Sequence, residues 1–388
     1  MRLLPFLLPL LLACSSTPQD VLIQVRPTDF RRELQEVRDL GFDVAGVDLH
    51  AKTFDVVMPT DTEGYFKVQI NPNVAAVRPL FAPDSEYKNP DEVAQFLTEK
   101  AGMYPNLADL KIIGTSLENR PIYAIKLSAD VRMKSAAKKV VLFDSMHHAR
   151  EVMTVEVALD IVDYLVKNYA TDTKVRNWLN TTEVWVVPML NVDGNAKVWA
   201  GNSMWRKNTR GGYGVDINRN YPYAWNTCNG SSGSTGSDTY RGPSAGSEPE
   251  TQALMKLMGD IKPHIGVSFH TYSEIVIYPL GCPNQQLPAA DKTIIETVGR
   301  ELASKLVRDS GRGTYDAGTS YDLLYPVDGG SIDWAYATHK IMPFVIEFNG
   351  SAAGFQPSYS LFRDKTVNMA RAAWQYVLDR VHNGPLLR

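Results

Sequence analysis

The chain has 388 residues, of which 44% are hydrophobic and 21% are charged, and its formal net charge is −3. This balance is typical of a globular protein with one large core, or with a large and a small domain. Binding to nucleic acid through a basic face would need a positive excess, so the composition argues against nucleic acid as a partner.

The N-terminus has the pattern of an export signal. Arg2 precedes an apolar run, Leu3 to Leu12, which is too short to span a bilayer but has the length of a signal-peptide core. "LLAC" (11–14) resembles the bacterial lipobox, which implies cleavage before Cys14 and lipidation of that cysteine; an ordinary secretory signal is the alternative. We expect an exported protein that is lipid-anchored at the bacterial cell envelope through Cys14, or else secreted.

Residues 15–75 are predicted to form a small βαββ module. "DVLIQVRP" has the alternation of a strand, "DFRRELQEVRDLG" has helical periodicity and ends at a glycine, and "FDVAGVD" and "TFDVVMP" are typical of short strands. Residues 76–90, which are polar and contain prolines, are predicted to link this module to a domain that covers residues 91–388.

Apolar strand-like runs alternate with amphipathic helical runs in the larger domain. Strands are predicted at 121–128, 138–146, 182–190, 264–270, 274–280 and 342–348. Helices are predicted at 151–169, 248–261, 292–307 and 365–381. The alternation indicates an α/β fold in which helices sandwich a mostly parallel, mixed sheet. Ligand sites in such folds lie beyond the carboxyl ends of the strands.

Two polar segments, "DSMHHARE" and "SFHTYSE", stand at such strand ends. His148 ends one strand, Glu151 opens the helix that follows, and His270 ends another strand. Two imidazoles and one carboxylate, with a fourth position left open, are a ligand set of catalytic zinc. His147 is expected to point the other way if the strand alternation persists. His-x-x-Glu by itself is more often a turn or a helix cap.

Further motifs follow "HARE" in a fixed order: "SMWRKN", "GVDINRNYP", "SFHTYSE", "YPVDGGSIDWAY" and "FVIEFN". Together they resemble the zinc metallocarboxypeptidases of the carboxypeptidase A and B family, from about Asp91 to Val381. The resemblance implies the carboxypeptidase fold and an exopeptidase that releases C-terminal residues.

The resemblance also implies roles for single residues. His148, Glu151 and His270 would bind one Zn²⁺ per chain. Glu347 would be the general base, and Arg206 would stabilise the developing oxyanion. The implied substrate contacts are the carboxylate clamp Asn218, Arg219 and Tyr325, the cleft residues Arg150 and Tyr272, and the pocket residues Ile277, Ile332 and Val345.

Each of these residues has a structural alternative. Glu347 could be a buried structural acid, although an isolated buried carboxylate is costly. Arg206 and Arg219 could be surface cations, and Tyr325 could be a packing aromatic on a loop. Asp216 is a candidate to hydrogen-bond a ligand histidine as a supporting carboxylate.

The residue at the position of Ile332 in "GSIDW" lies at the base of the specificity pocket in this family. Aspartate there accompanies release of Lys or Arg, whereas an apolar residue accompanies release of aromatic or aliphatic residues. Ile332, with Ile277 and Val345, therefore predicts release of large hydrophobic residues, because an apolar pocket offers a basic side chain no counter-charge. Asp322 and Asp328 flank the clamp tyrosine and leave a broader, basic specificity open.

Three other functions remain as alternatives. "GPSAG" (242–246) fits a serine-hydrolase motif around Ser244, but a polar, glycine-rich loop precedes it instead of a strand. A peptidoglycan-trimming carboxypeptidase would use the same fold on another substrate. A non-catalytic binding module would be expected to lack Glu347 or a metal ligand.

The remaining expectations concern partners and maturation. We expect peptide or protein C-termini as partners, contact with a membrane only through the lipid at Cys14, and a monomer. The N-terminal module weakly resembles shortened propeptides, so it could shield the cleft, assist folding or be a permanent accessory domain. Pairing of Cys228 with Cys282 and calcium binding near Asp238 stay open.

Overall fold

The structure is a computed structural model that describes residues 20–59, 73–80, 82–133 and 135–387. The predicted signal sequence and Cys14 lie outside the described residues. Within those ranges, no helix combines the length and the apolar character that crossing a bilayer requires.

The N-terminal module is a four-stranded antiparallel sheet with one helix, in the strand order β2-β3-β1-β4. Its elements are β1 (Asp20–Val25), α1 (Phe30–Asp39), β2 (Asp43–Asp48), β3 (Thr53–Pro59) and β4 (Val74–Pro79). The side chain of Asp29 caps α1 by accepting a hydrogen bond from the backbone N–H of Arg32 at 3.2 Å. Leu34 and Val37 on the inner face of α1 join the apolar side chains of β1 and β3 in a small core.

The strand β4 lies partly inside the predicted linker 76–90, so that prediction is wrong for residues 76–79. The strand pairs with β1 at the edge of the small sheet. The segment between the module and the next helix is therefore shorter than the sequence indicated, and it covers residues 80–89.

The larger domain contains an eight-stranded sheet. Its strands are β5 (Ala108–Thr115), β6 (Pro121–Leu127), β7 (Lys139–Ser145), β8 (Thr182–Val187), β9 (Ile265–Thr271), β10 (Ile275–Ile277), β11 (Asp316–Gly318) and β12 (Met342–Phe348). The helices are α2 (Pro90–Met103), α3 (Met153–Asn168), α4 (Thr173–Thr181), α5 (Val192–Trp199), α6 (Pro249–Ile261), α7 (Ala289–Ala303), α8 (Ser320–Leu323), α9 (Ser331–His339) and α10 (Tyr359–Arg380).

The strand order is β11-β10-β12-β9-β7-β8-β6-β5. The central strands β12, β9, β7 and β8 are parallel to one another, while β6 and β5 add antiparallel pairs at one edge. Helices flank the sheet, with α3 packed on the central strands and α10 packed on α3. The predicted α/β fold with a mixed, mostly parallel centre is confirmed.

Burial on both faces explains why the central strands read as continuous apolar runs. Every residue of β9 is buried, and β7 and β12 are nearly as enclosed. Because β7, β9 and β12 run in the same direction, their carboxyl ends meet at one edge of the sheet. That edge receives the polar segments that follow these strands.

A disulfide joins Cys228 to Cys282, so the pairing that the sequence left open is present. It connects the polar loop after the "DINRN" motif to the segment that follows β10. The cross-link closes a separation of 54 residues. Constraint of a loop of that length in the unfolded chain stabilises a fold by about 4 kcal/mol.

Candidate active site

The loop after β7 begins with a break in the strand. Met146 adopts a positive φ of 58°, which ends the extended backbone directly before the two histidines. The side chain of Asn191 donates to the carbonyl of His147 at 3.0 Å, and the N–H of Ala149 donates to the carbonyl of Arg206 at 2.9 Å. These bonds fix the loop, so the side chains that it carries are held in place before any ligand binds.

The predicted metal ligands converge in a buried cluster. Nδ1 of His148 lies 2.6 Å from Oε1 of Glu151, and Nδ1 of His270 lies 3.0 Å from Oε2 of the same carboxylate. The two Nδ1 atoms are 3.2 Å apart. All three side chains are at most 5% exposed.

This cluster fits a zinc ion. Tetrahedral bonds of about 2.0–2.2 Å place ligand atoms roughly 3.3 Å apart, so the three donor atoms need to move little. Burial lowers the pKa of His270, which favours the neutral imidazole that a metal ligand must be. Among the described residues, His148, Glu151 and His270 form the one group of three or more such ligands that converges, and the loop around Asp238 does not supply a second.

Asp216 supports the cluster from behind. Its Oδ1 lies 3.4 Å from Nε2 of His148, on the side of the ring opposite to Glu151. Its Oδ2 accepts bonds from Nε and Nη2 of Arg206, at 3.2 and 2.8 Å. Burial opposes ionisation of Asp216, but Arg206, Arg219 and His148 hold its pKa well below the ordinary value. A permanent carboxylate there fixes the tautomer of His148 with Nδ1 towards the metal.

His147 faces away from the metal cluster, as predicted, although strand β7 ends at Ser145 and its alternation does not extend to this residue. Its Nε2 lies 3.0 Å from the hydroxyl of Tyr221, and Nδ1 lies 3.3 Å from the hydroxyl of Ser268. Burial lowers the pKa of His147 well below the ordinary value, so the ring is neutral. It packs behind the site as a hydrogen-bonded core residue.

Glu347 lies next to the metal cluster because of strand register. In the parallel pair of β9 and β12, Glu347 stands opposite His270. Burial, followed by repulsion from Glu151, raises the pKa of Glu347 well above the ordinary value. A carboxyl group with a raised pKa, beside a metal site, is suited to accept a proton.

A cavity opens from the metal cluster. The predicted clamp, pocket and catalytic side chains share its walls: Arg206, Asn218, Arg219, Tyr272, Ile277, Tyr325, Ile332, Val345 and Glu347. Arg219 is fixed by bonds from Nε to the carbonyl of Gly230 and from Nη1 to the carbonyl of Asn218, at 3.0 and 2.9 Å. The structure thus gathers two arginines and the apolar side chains of Ile277, Ile332 and Val345 around one cavity.

Arg150, the predicted upper-cleft contact, does not line this cavity. Its guanidinium donates to both carboxylate oxygens of Asp43 in the N-terminal module, with 3.0 Å between Nη2 and Oδ1. Its Cζ lies 4.0 Å above the ring of Phe355. Arg150 is therefore occupied by a carboxylate of its own chain.

The module fills part of the cleft with strand β2. Val44 to Val47 line the cavity together with the metal ligands. Gly46 lies so close to Tyr272 that a Cβ atom would be 2.5 Å from its ring. The N–H of Val47 donates to the hydroxyl of Ser273 at 3.1 Å. Only glycine permits this approach of the strand to the cleft.

Two predicted substrate contacts are also held by the module. The hydroxyl of Tyr272 donates to Oδ2 of Asp55 at 2.8 Å. The guanidinium of Arg38 lies 3.9 Å above the ring of Tyr325, a cation–π geometry. Sequence patterns gave no sign of these partners, because they are far from the cleft residues in the chain.

The acids that were expected to broaden the pocket do not line it. Asp328 is fully buried and accepts bonds from the N–H groups of Thr227, Cys228 and Gly230. Asp322 is exposed and bonds to Thr319 in the first turn of α8. Of the aspartates near the pocket, the one that lines the cavity is Asp333, which follows Ile332 directly and was not among the predicted site residues.

Comparison with known proteins gives matches along most of the chain. The family profile described as zinc carboxypeptidase matches residues 93–371. Bovine carboxypeptidase O is 30% identical over 258 residues, covering 65% of this chain and 67% of the bovine protein. Mouse carboxypeptidase A2 is 33% identical over 263 residues, covering 64% of this chain but only 59% of the mouse protein.

Solved structures show the same fold. Carboxypeptidase A from Helicoverpa armigera superposes with a TM-score of 0.78 at 23% identity, covering 94% of this chain and 98% of the other. Thrombin activatable fibrinolysis inhibitor superposes with a TM-score of 0.77 at 24% identity, covering 95% and 99%. Both superpositions include the N-terminal module, since they cover more of the chain than the larger domain alone contains.

The geometry of the cluster predicts that metal binding depends on Glu151, whereas Glu347 contributes only to proton transfer. Glu151→Gln removes the charge that lies between the two imidazoles, so we expect zinc affinity to fall by at least about 100-fold. Glu347→Gln is the matched control, because this neighbouring glutamate contributes no ligand and its zinc affinity should stay within about threefold. Competition against a chromophoric chelator measures both. Equal losses in the two variants would contradict the assignment.

Proposed function

The chain belongs to the zinc carboxypeptidase family, and we propose that it removes large hydrophobic or aromatic L-residues from the C-termini of peptides. The observation that carries the proposal is the convergence of the metal cluster, Glu347 and two fixed arginines on one cavity. A hydrolase of peptide bonds needs an activated water, a proton acceptor and a cation for the oxyanion, and the cavity walls carry residues for each.

The zinc site supplies the part of the chemistry that side chains cannot. When bound, zinc polarises a carbonyl oxygen as a Lewis acid and makes water nucleophilic near neutral pH. Glu347 accepts the proton of the attacking water at its carboxylate and returns it to the leaving amine. Burial and repulsion from Glu151 raise its pKa, which strengthens Glu347 as a proton acceptor.

Arg206 is suited to the developing oxyanion. Asp216 holds its Nε and Nη2, which leaves Nη1 for a ligand in the cavity. Because Asp216 also faces His148, the oxyanion donor and the metal ligand are fixed to one carboxylate. Preorganised charge of this kind stabilises the transition state without a cost of reorientation.

Recognition of a free C-terminus is assigned to Asn218, Arg219 and Tyr325. A guanidinium binds a carboxylate with two parallel hydrogen bonds, which a peptide bond within a chain cannot accept in the same way. Tyr325 is partly exposed and lies on the cavity wall next to the module, where Arg38 covers its ring until the module moves. These contacts favour an exopeptidase.

The pocket walls favour an apolar C-terminal side chain. Ile277 and Val345 are each 6% exposed and pack with Ile332 in a separate apolar cluster. Burial of an aromatic side chain against such a wall contributes about 2–3 kcal/mol. No fixed carboxylate of the kind that would pair with Lys or Arg stands at the position of Ile332.

We also propose that the N-terminal module covers the cleft and must move before a peptide binds. Its residues occupy three predicted substrate contacts, through the pairs Asp43–Arg150, Asp55–Tyr272 and Arg38–Tyr325. A peptide bound at the metal site would meet β2, because Val44 to Val47 lie against the cavity.

We also propose that the protein is exported and lipid-anchored at Cys14 in a bacterial envelope. The apolar run before "LLAC" supports it, and the disulfide supports an oxidising compartment.

Hydrolysis of blocked dipeptides tests the main proposal. We expect chelator-sensitive release of C-terminal Phe and Leu, with kcat/KM for Lys at least about tenfold lower, because a basic side chain would bring a full charge against the apolar walls. Glu347→Gln should lower kcat by about 100- to 10,000-fold through loss of the proton acceptor. Release of no L-residue by protein freed of residues 15–80 would contradict the proposal and direct attention to peptidoglycan stem peptides.

The Asp43–Arg150 pair tests the role of the module. Asp43→Ala leaves Arg150 buried without its partner, a loss of about 3–5 kcal/mol for docking of the module. We therefore expect kcat/KM for a peptide of several residues to rise by at least about tenfold. Glu36→Ala, on the exposed face of α1, is the matched control and should change nothing. An unchanged rate in Asp43→Ala would show that the module does not limit access.

Cell fractionation tests the anchor. With an intact Cys14 we expect the protein in the membrane fraction and labelled by a radioactive fatty acid, because a lipidated N-terminus adsorbs to the bilayer. Cys14→Ser should abolish the label and leave the protein out of that fraction. An unlabelled wild-type protein would contradict lipidation and leave ordinary secretion.

A further inference from the structure

The specificity pocket contains a polar group among its apolar walls. Asp333 lies in the first turn of α9, is 2% exposed and lines the cavity beside Ile332. Its Oδ2 accepts a hydrogen bond from the N–H of Gly281 at 2.8 Å. Its Oδ1 is buried and has no hydrogen-bond partner among the described residues. The hydroxyl of Ser331, also on the cavity wall, is likewise buried without a hydrogen-bond partner among the described residues.

The backbone around Gly281 holds this carboxyl in place. A Cβ atom on Gly281 would be 2.5 Å from the carbonyl oxygen of Val327 and 3.0 Å from the hydroxyl of Ser320. Only glycine therefore fits where the N–H reaches Asp333. The local fold fixes one carboxyl oxygen and leaves the other without a donor.

Asp333 differs from the other acids near the pocket. Asp328 is satisfied by three N–H groups and by Ser231, and Asp322 is exposed. Burial raises the pKa of Asp333 to about 7, and no basic side chain opposes the effect. The group is thus a hydrogen-bonding site without a counter-charge, and it is not half of an ion pair.

An unpartnered buried carboxyl discriminates between ligands. A purely apolar side chain that fills the pocket displaces water and leaves Oδ1 without a donor, whereas a side chain that ends in a hydroxyl can complete the bond. Sites built around a buried polar group reject analogues that lack the matching group.

We propose that Asp333 selects a C-terminal residue that combines an aromatic ring with a terminal hydrogen-bond donor, so that tyrosine is preferred over phenylalanine. The inference rests on the proposed function, since it concerns the pocket of the same exopeptidase. The ring of tyrosine packs on Ile277, Ile332 and Val345, and its hydroxyl donates to the free oxygen of Asp333. A lysine would bring a full charge against the same apolar walls, which a phenol does not.

Binding of free amino acids to the full, zinc-loaded chain tests the proposal. Residues 44–47 of the module line the same cavity and Arg38 covers Tyr325, so the test compares amino acids of similar size, which the module occludes equally. The probes are L-tyrosine, L-phenylalanine and O-methyl-L-tyrosine, whose ether oxygen cannot donate. Titration calorimetry should give a Kd for L-tyrosine about tenfold lower than for the other two, as expected for one hydrogen bond to a charged group.

Two variants assign the preference to Asp333. Asp333→Asn keeps an acceptor for Gly281 but loses the charge, so the preference for L-tyrosine should fall to about threefold or less with little change for L-phenylalanine. Asp322→Asn is the matched control outside the cavity and should keep the full preference. If Asp333→Asn does not fold, the three probes on the unaltered chain decide the question alone.

The outcomes separate this inference from the proposed function. Equal affinity for L-tyrosine and L-phenylalanine would overturn the role of Asp333 and leave the hydrophobic exopeptidase intact. L-lysine that binds as tightly as L-tyrosine would also overturn it, in favour of a basic specificity. Failure of all these amino acids to bind both the unaltered chain and Asp43→Ala would overturn the proposed pocket, and the proposed function with it.

Discussion

The carboxylate of Glu151 lies between two imidazoles in a site that water barely reaches, and the surrounding structure is arranged around that charge. A buried carboxylate without partners would be too costly to keep ionised. Here His148 and His270 lower its pKa against the effect of burial. Asp216 continues the alternation of charge behind His148, and Arg206 continues it behind Asp216. The metal cluster and Arg206, the proposed oxyanion donor, are thus linked through Asp216 in one series of alternating charges, which removal of any member would unbalance.

The sequence predicted the positions of His148, Glu151 and His270 because these residues lie at or directly after strand ends. Glu151 and His148 are close in the chain, and parallel strands with a common direction must bring His270 and Glu347 to the same edge. The apolar runs of the central strands were equally readable, since burial on both faces leaves few polar residues in them. The pattern failed to predict an edge strand in each sheet. The strand β4 was mistaken for a linker, and β5 and α2 were not predicted, although the capping box of Asn89 and Glu92 marks the start of α2.

Sequence patterns also failed to predict side-chain partners that are far apart in the chain. Asp322 and Asp328 flank Tyr325 in the chain, which made them candidates for the pocket, but the loop near the disulfide uses Asp328 for its own N–H groups. Asp333 was passed over because its helix position says nothing about which of its oxygens finds a donor. Asp43 is separated from Arg150 by 107 residues, and no local periodicity indicates that pair. Burial and hydrogen-bond satisfaction are properties of the assembled core, and single-sequence patterns do not contain them.

The contacts of the module indicate that the proposed cleft opens by displacement of the whole module. Three elements of the module each hold one predicted substrate contact. Carboxylates of β2 and β3 bind Arg150 and Tyr272, and a guanidinium of α1 covers Tyr325. A peptide that competes for all three must displace the module as a unit, because its small core ties those elements together. The affinity of a long substrate is then reduced by the fraction of molecules whose cleft is open. A free amino acid in the pocket competes with fewer of these contacts, since of the three residues only Tyr325 belongs to the proposed clamp.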